Sequence, residues 1–175
     1  MSIMLNKSQV EAATLSVGEV QQFLYREARF LDDKDWESWL ELYAPDAEFW
    51  MPSWDDDDQL VTDPQAQISL ICYGHKGGLE DRVFRIRTER SSATSMPAAR
   101  TSHNISNVEI LAQGGGVCEL RCNWVTFSYR HKTVDTYFGT SFYKLDTTAV
   151  SPLIKRKKVI LKNDYIHHVV DIYHV

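Results

Sequence analysis

Residues 117–131 read VCELRCNWVTFSYRH. Cys118, Leu120, Cys122 and Trp124 are apolar at even positions, the two-residue period of a half-buried strand. Val125, Phe127 and Tyr129 then place the apolar side chains at odd positions. A one-residue slip sends every later side chain to the opposite face, so the pattern predicts a long strand bent by a β-bulge near 124–125. On either side, 101–111, 133–145 and 157–161 are also β-rich, separated by Gly-rich or polar turns.

The first half of the chain has a different period. Ser16 and Glu19 form an S-x-x-E capping box ahead of Val17, Val20, Leu24, Ala28 and Leu31 at helical spacing. After a break at 32–34, Trp36, Trp39, Leu40 and Tyr43 make the stripe of a second helix, and Pro45 ends it. Residues 47–51 read as a short strand, the acidic run 55–58 as a solvated loop, and 67–73 as a strand. Residues 79–90 read as a basic helix and 91–99 as a small-residue loop containing Pro97. N-terminal helices packed on a long, bent, mixed or antiparallel β-sheet make an α+β domain. Residues 1–14 read as an N-terminal arm and 15–175 as a single domain.

Bulk properties exclude several functions. The 175 residues are 43% hydrophobic and 25% charged, with a formal net charge of −5, and the one short basic run is 155–158. A phosphate backbone wants a basic face, so nucleic acid is not an expected partner. No apolar run approaches the length of a membrane span, and the first twenty residues lack a basic start followed by an apolar run. Three cysteines, Cys72, Cys118 and Cys122, are too few and odd in number for a disulfide framework. A cytoplasmic protein is expected.

Catalytic patterns are sparse. Cys118 and Cys122 on one strand sit about 13 Å apart, too far to share an ion. No C-x-x-C, H-E-x-x-H or G-x-S-x-G occurs, and the glycines at 114–116 lack the lysine and helix of a phosphate loop. His167 and His168 would face opposite sides of a strand. His103, Asp135, Tyr137 and Tyr143 are candidates for the walls of an acid–base cavity, the feature of a stand-alone dehydratase or isomerase. The runs 55–58 and 155–158 read as solvent faces. Residues 164–175, DYIHHVVDIYHV, stay apolar to the end, and they are expected to form a strand buried at a subunit boundary. Ile166, Val170 and Ile172 would lie on one face, and Val169, Tyr173 and Val175 on the other.

The stretches FLYREARFLDDKDWESWLELYAPDAEFWMPSWDDDD (23–58), GLEDRVFRIRTERSSA (78–93), RTSHNISNVEI (100–110) and LKNDYIHHVVDIYHV (161–175) resemble the small β subunit of aromatic-ring-hydroxylating dioxygenases. The likeness is closest to the benzoate, toluate, 2-halobenzoate and anthranilate 1,2-dioxygenase branch. It implies a cystatin-like cone of the nuclear transport factor 2 (NTF2-like) kind and a role in aromatic catabolism. It also implies a large α subunit carrying a Rieske 2Fe–2S cluster and mononuclear Fe(II), with electrons from NADH through a reductase. The assembly implied is α3β3, with contacts to other β subunits as well. The product would be a cis-dihydrodiol of an aromatic carboxylate. The small subunit of that family has no catalytic, cofactor-binding or metal residue to carry over. The matching positions are therefore scaffold or interface candidates: Asp81, Arg82, Arg87 and Arg90; Arg100, His103 and Asn107; and Ile172, Tyr173 and Val175.

Overall fold

The computed structural model describes residues 14–88 and 97–175. Most of the expected arm over 1–14, Arg90, and most of the loop over 91–99 lie outside the described residues. Helix α1 (Val17–Asp32) opens with the expected capping box, Ser16 accepting from the Glu19 N–H and Glu19 reaching back to Ser16. Helix α2 spans Trp36–Glu41, and α3 spans Gly77–Arg87. Six strands follow the order β2-β1-β6-β5-β4-β3 across one sheet. They are β1 (Tyr43–Pro52), β2 (Ser69–Tyr73), β3 (Arg100–Gly114), β4 (Val117–Arg130), β5 (Thr133–Asp146) and β6 (Leu153–Leu161). Only β1 and β6 run parallel, so the sheet is mixed. The apolar side of α1 packs on its concave face, with Val20, Phe23, Leu24 and Leu31 in the core.

The expected bulge at 124–125 is absent. Strand β4 pairs with β5 without a shift from Val117↔Asp146 to Arg130↔Thr133. Even-numbered side chains therefore keep facing inward, and Thr126 and Ser128 are buried while Phe127 and Tyr129 face out. The irregularities sit on the neighbour β3 instead, between Ser106 and Glu109 and between Ile110 and Ala112. Asn107 lies in the first of these with φ 51, a left-handed conformation that asparagine tolerates better than most residues. Such bulges bend an edge strand and discourage another chain from pairing with it.

Three more expectations are corrected. Tyr43 and Pro45 belong to β1, not to the second helix: Tyr43 pairs with Ile154, and the Ile154 N–H donates to Leu42 O at 2.7 Å. Lys157 is 2% exposed, so the basic run 155–158 is not wholly a solvent face. Leu145 pairs with Ile154 but Lys144 with Arg156, and the one-residue slip at Lys155 turns Lys157 inward. The tail is no strand. Residues 164–171 are irregular, and Ile172–His174 form one 3-10 turn whose side chains are buried in this chain's own core.

Candidate functional site

The concave face of the sheet is where a cone of this shape would hold a ligand. Sheet register arranges its side chains in rows. Thr101, Ser128 and Asp135 form one row, His103, Thr126 and Tyr137 the next, then Ile105, Trp124 and Gly139, then Cys122, Ser141 and Val159. Leu120, Tyr143, Lys157 and Phe49 lie deeper still. His103 and Tyr137 are thus brought together, Asp135 sits one row towards the open end, and Tyr143 lies three rows further in. The Trp124 indole covers Gly139, where a Cβ would fall 2.9 Å from the ring and 2.1 Å from Ile160 O.

The deepest polar cluster centres on Glu27. It occupies the inner face of α1 among Val20, Leu24 and Leu31, and is buried. Lys157 Nζ donates to Glu27 Oε1 at 2.9 Å; the Tyr43 and Tyr143 hydroxyls donate to Oε1 and Oε2, each at 2.8 Å. Burial pushes the Glu27 carboxyl up, but the Lys157 ammonium and the two hydroxyls outweigh it and leave the pKa below the usual value. The same carboxylate pushes the Tyr43 and Tyr143 hydroxyls, already raised by burial, further up. Glu27 therefore stays ionised and the two tyrosine hydroxyls stay protonated near neutrality.

A second clasp ties α1 to β3. Asp32 accepts from the His103 N–H at 3.0 Å and from Thr101 Oγ1 at 2.9 Å, and His103 Nδ1 lies 2.6 Å from Asp32 Oδ1. Burial raises the Asp32 pKa, but these bonds lower it by more. A third clasp holds the tail. Arg82 Nε donates to Asp171 Oδ1 at 2.7 Å, and Arg82 Nη2 contacts the other carboxylate oxygen. Asp171 is buried and accepts from the Ile172 N–H, while the Asp171 N–H donates to His174 Nδ1 at 3.0 Å. His174 stacks on Tyr137, centroids 4.5 Å apart, and burial pushes its pKa down to about 3. The ring therefore stays neutral at physiological pH.

With the tail in place, the space left beside Glu27, Trp124, Tyr143, Lys157 and Val175 is about 10 Å³. Small-molecule sites are roughly 300–1,000 Å³. A larger groove of about 540 Å³ lies open at the sheet end, lined by Arg130, Asp135, Tyr137, His167, His168 and His174. His167 and His168 both line it, because the segment is a loop rather than a strand. Among the described residues no group of three or more His, Cys, Asp or Glu could hold a metal ion. Burial pushes the Cys122 thiol up to about 12, the reverse of what a thiolate ligand needs. These side chains do not fit an iron centre.

The convex face is different. Tyr129 pairs with Val134, and Val125 with Phe138. Phe127, Tyr129, Val134 and Phe138 are 45%, 42%, 57% and 45% exposed. Arg100 lies over the Tyr129 ring and Arg121 over the Phe142 ring. Of the other residues marked from sequence, Asp81 is exposed, Arg87 pairs with Glu37 on the surface, and Asn107 shapes the β3 bulge. Glu27, Asp32, Lys157 and Asp171 went unmarked. Glu27 had a signal, since it falls at helical spacing within the apolar stripe.

Residues 26–168 match the family described as ring hydroxylating beta subunits. The chain is 68% identical over 162 residues to the toluate 1,2-dioxygenase subunit beta of Pseudomonas putida, covering 93% of this chain and 99% of that one. It is 57% identical to the benzoate 1,2-dioxygenase subunit beta of Acinetobacter baylyi, covering 93% and 95%. The crystal structure of the benzoate 1,2-dioxygenase beta subunit of Burkholderia mallei superposes with a TM-score of 0.80 at 53% identity, covering 93% and 99%. An NTF2-like protein with a cystatin-like fold from Novosphingobium aromaticivorans, 13% identical, superposes with a TM-score of 0.57 over 85% and 82% of the two chains. That likeness concerns the fold alone.

Proposed function

The chain belongs to the ring-hydroxylating β-subunit family, and on that premise we propose that it is the non-catalytic small subunit of an oxygenase acting on a benzoate-like aromatic carboxylate, with residues 15–175 acting as one NTF2-like unit. One observation carries the reading: the deep end of the concave face, around Glu27, Trp124, Tyr143 and Lys157, is packed by the chain's own tail and keeps about 10 Å³, while the groove of about 540 Å³ at its outer end opens to solvent, with His174 held neutral in its wall. A stand-alone dehydratase or isomerase needs that deep space for its substrate. In this reading the larger α subunit would hold the Rieske cluster and mononuclear Fe(II), which would supply electron transfer and the oxygen chemistry respectively. Electrons arrive from NADH through a reductase. The complex is α3β3 and cytoplasmic. Co-expression with the α subunit, followed by separation of the two chains, tests it. All iron and the cluster absorbance are expected with the larger chain; stoichiometric iron on this one overturns the reading.

The convex face of β3–β5 is our candidate for a contact with a neighbouring subunit. Single exposed apolar residues are ordinary, but adjacent ones on one rigid sheet mark an interaction surface. Aromatic and arginine side chains are the usual anchors of an interface. Arg100 joins this face, whereas Arg82, His103, Ile172, Tyr173 and Val175 act inside the chain as scaffold. Asp81 and Arg87 on α3, and Arg90, which lies outside the described residues, remain candidates for a second contact. Phe127→Asp is expected to weaken assembly by at least about 2 kcal/mol, roughly 30-fold. The melting curve of the chain alone should barely move, since the side chain is half exposed. Sedimentation of the co-expressed complex reads the first effect; an unchanged assembly assigns the contact elsewhere.

A further inference from the structure

Six polar side chains line the small space beneath the tail: Glu27 and Tyr143, which are bonded to each other, and the four that matter here, His103, Trp124, Ser141 and Lys157. His103 Nε2, Trp124 Nε1 and Ser141 Oγ are buried with no protein hydrogen-bond partner. Their side chains are nine-tenths or more out of solvent. Lys157 uses one N–H on Glu27 Oε1 and one on Val175 O at 3.5 Å, which leaves its third. Buried donors and acceptors are almost always satisfied, and orphans are met by internal water where the space is polar and large enough. The requirement is about 10–15 Å³ and two to four polar partners. The space here is about 10 Å³.

We propose that this space is a binding site for one structural water molecule, bonded to at least two of His103 Nε2, Trp124 Nε1, Ser141 Oγ and Lys157 Nζ. The donor and acceptor balance suits water and no larger guest. His103 Nδ1 faces the Asp32 carboxylate and carries the proton there, so in the neutral ring Nε2 is an acceptor. The water donates to Nε2 and to Ser141 Oγ, and accepts from the Trp124 and Lys157 N–H groups. Were the ring charged, the water would accept from Nε2–H instead. An apolar guest would leave every one of these groups unsatisfied, and an ion would need a countercharge beyond the Glu27–Lys157 pair.

The site joins two clasps that the sheet register keeps apart. His103 belongs to the Asp32 clasp on β3, and Lys157 to the Glu27 cluster on β6. Val175 lines the same space, so the tail forms one of its walls.

A crystal structure of the full-length chain at near-atomic resolution tests this directly. One ordered water is expected within hydrogen-bond distance of at least two of the four groups. Water-oxygen magnetic relaxation dispersion on the same protein in solution gives a second reading. Ser141→Val places methyl groups in the space and removes one partner. The slow-exchange amplitude is expected to fall by one water, with the fold kept. An empty space in the density overturns the proposal, as does rotation of these groups onto protein partners, or an amplitude that Ser141→Val leaves unchanged.

Discussion

Lys157→Ala is expected to destabilise the chain by about 3–5 kcal/mol, because it strands a buried carboxylate without its cation. Glu27 has no route to solvent, and the two tyrosine hydroxyls cannot neutralise its charge. The loss compares with a typical domain stability of about 5–15 kcal/mol. The double variant Glu27→Gln with Lys157→Met removes both charges and keeps an acceptor for a tyrosine, so it is expected to recover more than half of the loss. Thermal melts of the three variants measure this. The sign of the pH dependence also follows. The folded-state pKa of Glu27 is depressed, so its contribution is present above the unfolded carboxyl value of about 4.3 and is lost as pH falls through the folded value. Wild-type protein should therefore lose stability on acidification below about pH 4, and Asp32, depressed in the same direction, adds to the loss. In Lys157→Ala the burial penalty on Glu27 stands uncompensated, so acidification should relieve the defect. A variant that melts like wild type at neutral pH would show that the pair contributes nothing.

Removal of residues 172–175 is expected to have a larger effect. Ile172, Tyr173 and Val175 are buried apolar groups in the core cluster. At about 1.5–3 kcal/mol each their loss totals roughly 5–9 kcal/mol, before the opened interior is counted. Asp171 and Arg82 would keep their pair but lose the turn that Asp171 caps. The truncated chain should therefore lose cooperative melting and near-ultraviolet dichroism when it is purified alone. A cooperative transition within a few degrees of the full-length chain would show that the tail is peripheral. This outcome differs from that of a tail at a subunit boundary, where truncation would spare the isolated chain and weaken only the assembly.

How far the residues could be read depends on how local the cause is. The capping box of Ser16 and Glu19 and the apolar stripe of α1 were legible, because a helix meets its own residues three and four positions away. Strand β4 was legible from its alternation, and β3 and β5 from their β-rich composition between Gly-rich or polar turns. Arg100, His103 and Asn107 were marked by resemblance, but their separate jobs were not visible. One lies over an aromatic ring, one clasps a helix, and one turns a bulge.

By itself the sequence determined three helices and six strands and their order along the chain, though not the tail or the start of β1, and the likeness to ring-hydroxylating β subunits carried by long blocks in order. The tertiary structure alone decided which face each strand buries. In β4 the apolar alternation changes phase at 124–125, yet unbroken pairing with β5 keeps Thr126 and Ser128 inside and Phe127 and Tyr129 out. In β6 one slipped residue at Lys155 turns Lys157 from a solvent-facing position into the core. The tail packs into the core as a single turn because Arg82, 89 positions before Asp171, supplies its countercharge. The physical reason is common to all three. Side-chain preference is local, but a strand's inward face is set by register with its neighbour, and a buried charge is tolerated only where a distant partner meets it.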